Sequence, residues 1–185
     1  GRPRVTAMLS LVISIFFFAQ IGCQWRLLPK EFPPYTTVQR YFYRWRDDGT
    51  WQKINHHLVM MVREADGREA SPTAGVIDSQ SVKTTEAGGP RGYDAGKKIK
   101  GKKRHILVDT EGLLMHAIVH PADIQDRDGG VLLLSTLFGL FPLLGKVFAA
   151  GGYQGPWFAQ GAGDSLTPME VELVRLPALP RGCVI

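Results

Sequence analysis

The stretch GVIDSQSVK, residues 75–83, places one carboxylate, Asp78, directly after the short apolar run Val76-Ile77. Asp and Ser side chains often bond to nearby backbone amides, so one interpretation is a turn that closes a strand. The other interpretation is a metal ligand at a strand end, because hard cations such as Mg²⁺ prefer carboxylate oxygens. A metal site needs further carboxylates from elsewhere in the chain, so the surrounding elements decide between the two interpretations.

Basic residues are concentrated in two zones of the 185-residue chain, whose net charge is +5. Residues 1–60 hold 8 basic and 3 acidic side chains, and residues 83–105 hold 8 and 2, whereas the remaining residues are net acidic. Two basic zones on a partly acidic body favour a polyanionic partner, most often nucleic acid, over ordinary solvated lysines. The hydrophobic content of 44% is that of a folded globular protein. The two cysteines are far apart in the chain, which predicts free thiols.

The apolar run from Met8 to Ile21 resembles an export signal but is better explained as a helix of a folded domain. A 14-residue helix is about 21 Å long, which is short of the roughly 30 Å hydrocarbon core of a bilayer. Thr6, Ser10 and Ser14 recur at helical spacing, which predicts one polar stripe on an otherwise buried helix. We therefore expect no membrane association and a cytoplasmic protein.

The next segment predicts two more helices in a small basic module. Gly22 should end the first helix, and Thr36 or Thr37 should cap a second one that Gly49 terminates. A third helix is expected over residues 51–64. Arg40 and Arg44 lie one turn apart on the second helix, either as DNA contacts or as a solvated face. Three helices in about 65 residues predict a helix-turn-helix-like module, residues 1–64.

Beyond a polar linker, residues 65–75, the pattern becomes that of strands. Strands are expected at residues 76–77, 104–109, 113–120 and 146–149, with a tight turn at 110–112 and a helix over 126–138. Three strands, a helix and a strand open a ribonuclease-H-like α/β fold, although other mixed sheets begin in the same way. The predicted class is α/β, with a helical module followed by an incomplete ribonuclease-H-like mixed sheet over residues 76–176 and an atypical tail over 177–185.

Several long motifs resemble those of bacterial insertion-sequence transposases of the DDE type, most closely the insertion-sequence-five group. The strongest is IDSQSVKTTEAGGPRGYDAGKKIKGKKRHILVDTEGLL, residues 77–114, and GCQWRLLPKEFPPYTTVQRYFYRWRDDGTW, residues 22–51, is similar to the N-terminal domain of the same group. HPADIQDRDGG and GGYQGPW, residues 120–130 and 151–157, also match. The resemblance implies metal-dependent cutting and joining of DNA by two aspartates and a glutamate that hold two Mg²⁺ or Mn²⁺ ions.

The resemblance assigns the first aspartate to Asp78 and reveals two departures. The second aspartate should stand directly before Gly-Gly-Tyr, where this chain has Ala150. The third carboxylate, a glutamate on a later helix, has no counterpart, since Glu170 and Glu172 are expected in a strand before it. Among other acids, Asp109 is expected at the opposite edge of the sheet, and Asp123, Asp126 and Asp128 two strands from Asp78. These departures predict a truncated, inactive copy with doubtful metal binding.

Two functions remain open on sequence grounds: an active transposase, and a catalytically dead remnant that still binds DNA. Residues 97–104 are expected to form a basic hairpin loop against the phosphate backbone. DNA and a second copy of the chain are the expected partners, and the nucleoid is the expected location. The residues expected to contact DNA are Arg40, Arg44, Arg91, Lys97, Lys98, Lys100, Lys102, Lys103 and Arg104.

Overall fold

The computed structural model describes residues 7–84, 89–137, 139–164 and 169–174. The chain divides into two compact units, Gly1–Ile54 and Asn55–Ile185. No helix among the described residues is long and apolar enough to cross a membrane. The domain boundaries expected at residues 64 and 76 stay a prediction.

Three helices follow one another in the N-terminal part of the chain: α1 (Met8–Ile21), α2 (Tyr35–Asp47) and α3 (Thr50–Ala65), the last of which continues into the second unit. Helix α1 has the predicted bounds, and Gly22 ends it in the left-handed conformation at φ 65°. The predicted threonine cap of α2 is wrong. The helix begins one residue earlier, at Tyr35, and Pro34 takes the N-cap position without a side-chain hydrogen bond.

The core of the first unit forms between α1, α2 and the segment that joins them. Leu11, Ile15, Leu28 and Val38 are buried there, and aromatic side chains pack around them. The prediction that α1 is otherwise buried is wrong, although Ser14 is fully buried and donates a hydrogen bond of 2.6 Å to the Ser10 carbonyl. The outer face of α1 is apolar instead, with Leu9 71% and Phe16 59% exposed.

The second unit is built on a mixed six-stranded sheet. Its order is β2-β3-β1-β5-β6, and β4 also pairs with β3. Strand β3 runs antiparallel to β1, β2 and β4, whereas β5 runs parallel to β1 and β6. The strands are β1 (Ala74–Lys83), β2 (Gly92–Asp94), β3 (Ile99–Asp109), β4 (Leu114–Pro121), β5 (Lys146–Ala149) and β6 (Glu170–Leu173).

Strand β1 is longer than its sequence suggests. The predicted strand covered Val76-Ile77 alone, but β1 continues through Asp78 to Lys83 because every residue from Gly75 onward pairs with β3. The turn interpretation of Asp78 is therefore wrong. The predicted basic hairpin loop is also wrong over most of its length, since β3 begins at Ile99 and only Lys97 and Lys98 lie in the turn. Pairing with neighbouring strands outweighs the weak strand propensity of these polar residues.

Two helices cover one face of the sheet: α4 (Asp126–Ser135) and α5 (Pro156–Gly163). The predicted helix extended to Phe138, which lies outside the described residues. The main core lies between this helical layer and the sheet, where Ile77, Leu107 and Phe158 are almost fully buried. The opposite face, which we call the open face, keeps apolar side chains exposed, among them Val82 at 40% and Val119 at 64%.

Candidate active site and nucleic-acid interface

Asp78 lies near the middle of β1, on the open face of the sheet. Side chains alternate along the strand, so Ile77 and Ser79 point to the helix-covered face and are buried, whereas Asp78 and Gln80 are exposed. Asp78 pairs directly with Ile106 of β3. A carboxylate in this position is free to bind a ligand in solvent, and nothing in its local surroundings requires it for folding.

The residue beside Asp78 on the neighbouring strand is Ala150. Ile77 pairs with Ala149 in the parallel β1–β5 pair, so Ala150 follows at the level of Asp78. Its backbone remains extended, with φ −75° and ψ 168°, and its side chain is exposed, as is that of Asp78. Neighbouring strands are about 4.8 Å apart, the separation at which two carboxylates could share a cation. At this position, where the resemblance led us to expect the second carboxylate, the side chain is a methyl group.

Two other carboxylates of the sheet are engaged elsewhere. Asp109 is buried on the helix-covered face and accepts a 2.5 Å hydrogen bond from Arg63. Burial acts to raise the pKa of Asp109, but the Leu113 amide and Arg63 outweigh it and the pKa is lowered. Glu172 lies on β6 and forms an ion pair of 2.6 Å with Lys146. Within the described ranges, no three His, Cys, Asp or Glu side chains converge to hold a metal ion. The residues present therefore do not fit a pair of divalent cations.

The basic residues of the second zone are divided between the two faces of the sheet. Lys100, Lys102 and Arg104 alternate along β3 toward the open face, and none of the ion pairs among the described residues involves them. Arg91 and Lys98 are exposed near the ends of β2 and β3, and Lys98 has a positive φ of 55°. Lys103 points to the helix-covered face and is 4% exposed. Of the six cations named in this paragraph, five are thus available to a polyanion, but Lys103 is not.

Lys103 belongs to a buried polar layer that the sequence analysis did not identify. Its Nζ lies 3.1 Å from Asp94 Oδ2 and 2.7 Å from Asp126 Oδ1, and it donates a 2.9 Å hydrogen bond to the Ile124 carbonyl. Burial acts to lower the pKa of Lys103, but the two carboxylates outweigh it and the pKa is raised. The pKa of Asp94 is well below its usual range, since Ser81, the Lys97 amide and Lys103 outweigh the effect of burial. The three side chains form a charge cluster, one cation between two carboxylates, that joins β2, β3 and α4.

Lys97 also makes an internal contact. Its Nζ donates hydrogen bonds to the Ser79 carbonyl at 2.7 Å and to Ser79 Oγ at 3.0 Å. Ser79 is the residue after Asp78, at a point where β5 no longer pairs with β1. Lys97 therefore satisfies a backbone carbonyl of β1 and fixes the strand next to Asp78.

Two histidines lie deeper in the same layer. His105 Nδ1 and the Tyr153 hydroxyl form a hydrogen bond of 2.8 Å, and the rings of His105 and His120 stack at 4.9 Å between centroids. Burial is the main cause that lowers the pKa of His105 to about 4, and nearby His120 contributes to the same shift. Gly129 of α4 packs directly on both rings, since a Cβ at that position would meet His105 Nε2. The two stacked histidine rings are thus a packing surface for α4.

In the first unit, Arg40 and Arg44 are exposed on α2 as predicted from their spacing. Together with Tyr41 they line an open depression of about 340 Å³. Arg44 Nε lies 3.8 Å from Asp48 Oδ2. This ion pair is exposed and therefore contributes little to the free energy of unfolding. Both guanidinium groups can therefore reach an anionic partner.

Comparisons with known proteins agree with this geometry. A family model for the transposase DDE domain matches residues 69–167, more than half of the chain. The chain belongs to the DDE transposases. A model for a transposase of IS4/5 family matches residues 1–55, the segment that holds α1 and α2. No curated protein matches the sequence. The DDE domain is ribonuclease-H-like, and its family typically acts on DNA with divalent metal ions.

Proposed function

We propose that this transposase-family chain binds DNA but does not cut it. The observation that carries the proposal is the register between β1 and β5, which puts Ala150 beside Asp78. Phosphodiester cleavage by this family depends on cations that stabilise the attacking and leaving oxygens. Asp78 alone offers too few ligands, because a divalent cation held by a single exposed carboxylate stays mostly hydrated.

DNA binding needs cations that are not held in buried ion pairs, and the described residues include two groups of them. The first is the row Lys100, Lys102 and Arg104 on the open face, with Arg91 and Lys98 near the strand ends. The second is the pair Arg40 and Arg44 on α2 of the first unit. Cations that contact phosphates give an affinity that falls with salt concentration and shows little sequence preference. A chain with this activity would be found with the nucleoid in the cytoplasm.

Self-association is a second part of the proposal. Apolar side chains are exposed on the outer face of α1 and on the open face of the sheet, including Leu9, Phe16 and Val119. Exposed apolar surface of this kind favours contact between chains over a stable monomer. The helix-turn-helix character of the first unit and the incompleteness of the sheet also stay predictions.

The absence of cleavage is tested with purified protein and supercoiled plasmid in Mg²⁺ or Mn²⁺. We expect no nicking or strand transfer above the level of the Asp78→Ala variant. DNA binding by the same preparation, measured by fluorescence anisotropy, shows that the protein is folded and competent. Metal-dependent cleavage that disappears in Asp78→Ala would refute the claim that the site is inactive.

The DNA interface is tested by substitution of its two groups of cations. Lys102→Gln should weaken binding to all sequences alike and lower the log-log salt slope by about 0.9 on duplex DNA. Arg40→Ala and Arg44→Ala should reduce any base selectivity. An unchanged salt slope in Lys102→Gln would show that Lys102 is an ordinary solvated lysine that does not contact phosphate.

A further inference from the structure

An exposed aromatic side chain lies at one end of the cation row. Tyr93 of β2 is 55% exposed and pairs directly with Lys100 in the antiparallel β2–β3 pair. Directly paired residues lie on the same face with Cβ atoms about 5 Å apart. Tyr93 is therefore on the open face beside Lys100, whereas Asp94, the next residue of β2, is buried on the other face. The sheet thus presents an aromatic ring next to a line of cations.

The row has a regular spacing. Lys100, Lys102 and Arg104 are two residues apart on one strand, which separates neighbouring positions by about 6.7 Å. The row is flanked by uncharged side chains, since Val82 pairs with Lys102 and Gln80 with Arg104. On the other side, Val119 pairs with Arg104. Asp78 is the nearest acid on this face of β1. It pairs with Ile106, which is two residues along β3 from Arg104. The surface is therefore a straight cationic strip with uncharged, partly apolar margins.

We propose that this strip, together with Tyr93, binds an unpaired DNA strand in preference to a duplex. An unpaired strand can extend until each phosphate meets one cation. Its bases are also free to stack on an aromatic ring and to cover apolar side chains, which paired bases cannot do.

The inference rests on the proposed DNA-binding function and specifies its substrate. Tyr93 and the margins Val82 and Val119 give a duplex no additional contact. A preference for single strands therefore distinguishes this inference from the proposed binding of DNA in general. The strip requires no metal ion and no residue of the first unit. Single-stranded segments of this kind arise wherever a DNA end frays or a duplex is opened.

The experiment compares a 20-nucleotide oligothymidylate with a 20-base-pair duplex by fluorescence anisotropy, using the full chain at several salt concentrations. We expect tighter binding of the single strand, with a log-log salt slope of about 2 for three phosphate contacts at about 0.7 each. Tyr93→Leu should weaken single-strand binding by roughly 5- to 150-fold, the effect of losing one stacked base, and leave duplex binding unchanged. Tyr93→Phe, which keeps the ring, should restore the affinity.

Trp157→Leu provides the matched control, because Trp157 is another exposed aromatic residue of the second unit, at 59%, on α5 rather than on the open face. It should not change single-strand binding. Equal affinity for both forms, or an equal loss in both Leu variants, would overturn the inference while leaving DNA binding intact. Failure to bind either form would instead refute the proposed function. Tighter binding of oligouridylate than of oligothymidylate would assign the strip to RNA and also overturn the inference.

Discussion

The Lys103→Met variant tests whether Lys103 is a DNA contact, as expected from the sequence, or a buried ion-pair partner, as the structure has it. A lysine that contacts phosphate is replaceable without loss of stability, whereas Lys103 forms ion pairs with both Asp94 and Asp126 inside the second unit. Its removal leaves two carboxylates in a poorly solvated site. Breaking a buried ion pair by removing one partner typically costs about 3–5 kcal/mol. We expect a loss of that size in the free energy of unfolding at pH 7.

Lys102→Met is the control for this measurement. Lys102 is the preceding residue of the same strand but lies on the open face, and no ion pair among the described residues involves it. Its substitution should change stability by no more than about 0.5 kcal/mol. Urea denaturation of both variants and the parent chain, followed by circular dichroism, gives the comparison directly.

The pH dependence of the Lys103→Met variant is a second measurement. The pKa of both Asp94 and Asp126 is lowered in the parent chain, so their stabilising contribution is present above the unfolded value and is lost as pH falls. Without Lys103 the two carboxylates should protonate more readily. The difference in stability between parent and variant should therefore shrink between pH 7 and pH 4. A loss below about 1 kcal/mol at pH 7, with a flatter salt slope for DNA, would refute the buried position of Lys103.

Two further predictions concern the histidine layer. Gly129→Ala should destabilise the second unit by about 1–3 kcal/mol, because the added methyl group would meet both histidine rings, whereas Gly163→Ala, with no atom within 4 Å of the new Cβ, should be nearly neutral in the same thermal unfolding assay. The pKa of His105 is lowered to about 4 from 6.5, so the unfolded chain binds the proton more tightly and stability is lost as pH falls from about 6.5 to 4. Between pH 7 and 5 we expect the free energy of unfolding to decrease by about 2 kcal/mol. This decrease should be absent in His105→Asn and present in the control His57→Asn, whose histidine is exposed. An equal decrease in both variants would contradict the assignment to His105.

The sequence predicts an element well where one local signal dominates. Gly22 and the preceding apolar run define α1 to the residue, and Lys146–Ala149 is the fourth predicted strand without change. The turn before β4 contains Gly112 at φ 83°, a conformation that glycine adopts without strain. In each case the determinant is a short segment, so no distant contact is needed to predict it.

The polar strands could not be bounded in the same way. The residues after Ile77 have low strand propensity, and only their pairing with β3 extends β1 to Lys83. The basic run GKKIKGKKR reads as a solvated loop because its charge conceals the alternation that places Lys103 and His105 on the face of Leu107. That two-residue period was present in the sequence, and it was the available signal for the buried layer. The partners of Lys103 come from β2 and α4, which spacing alone does not reveal.

Binding and cleavage depend on different parts of the same sheet. The cation row is fixed by β3, whose register is fixed by β1 and β4 and by the Lys103 cluster beneath it. Ala150, which has a methyl group where the resemblance led us to expect a carboxylate, directly follows β5. No residue of the cation row pairs with β5. Replacement of an exposed aspartate by alanine removes no buried contact, so the sheet has no reason to rearrange. If Ala150 stands where the second metal ligand is needed, as we propose, the chain can be unable to cut DNA and still keep the surface that we propose holds DNA.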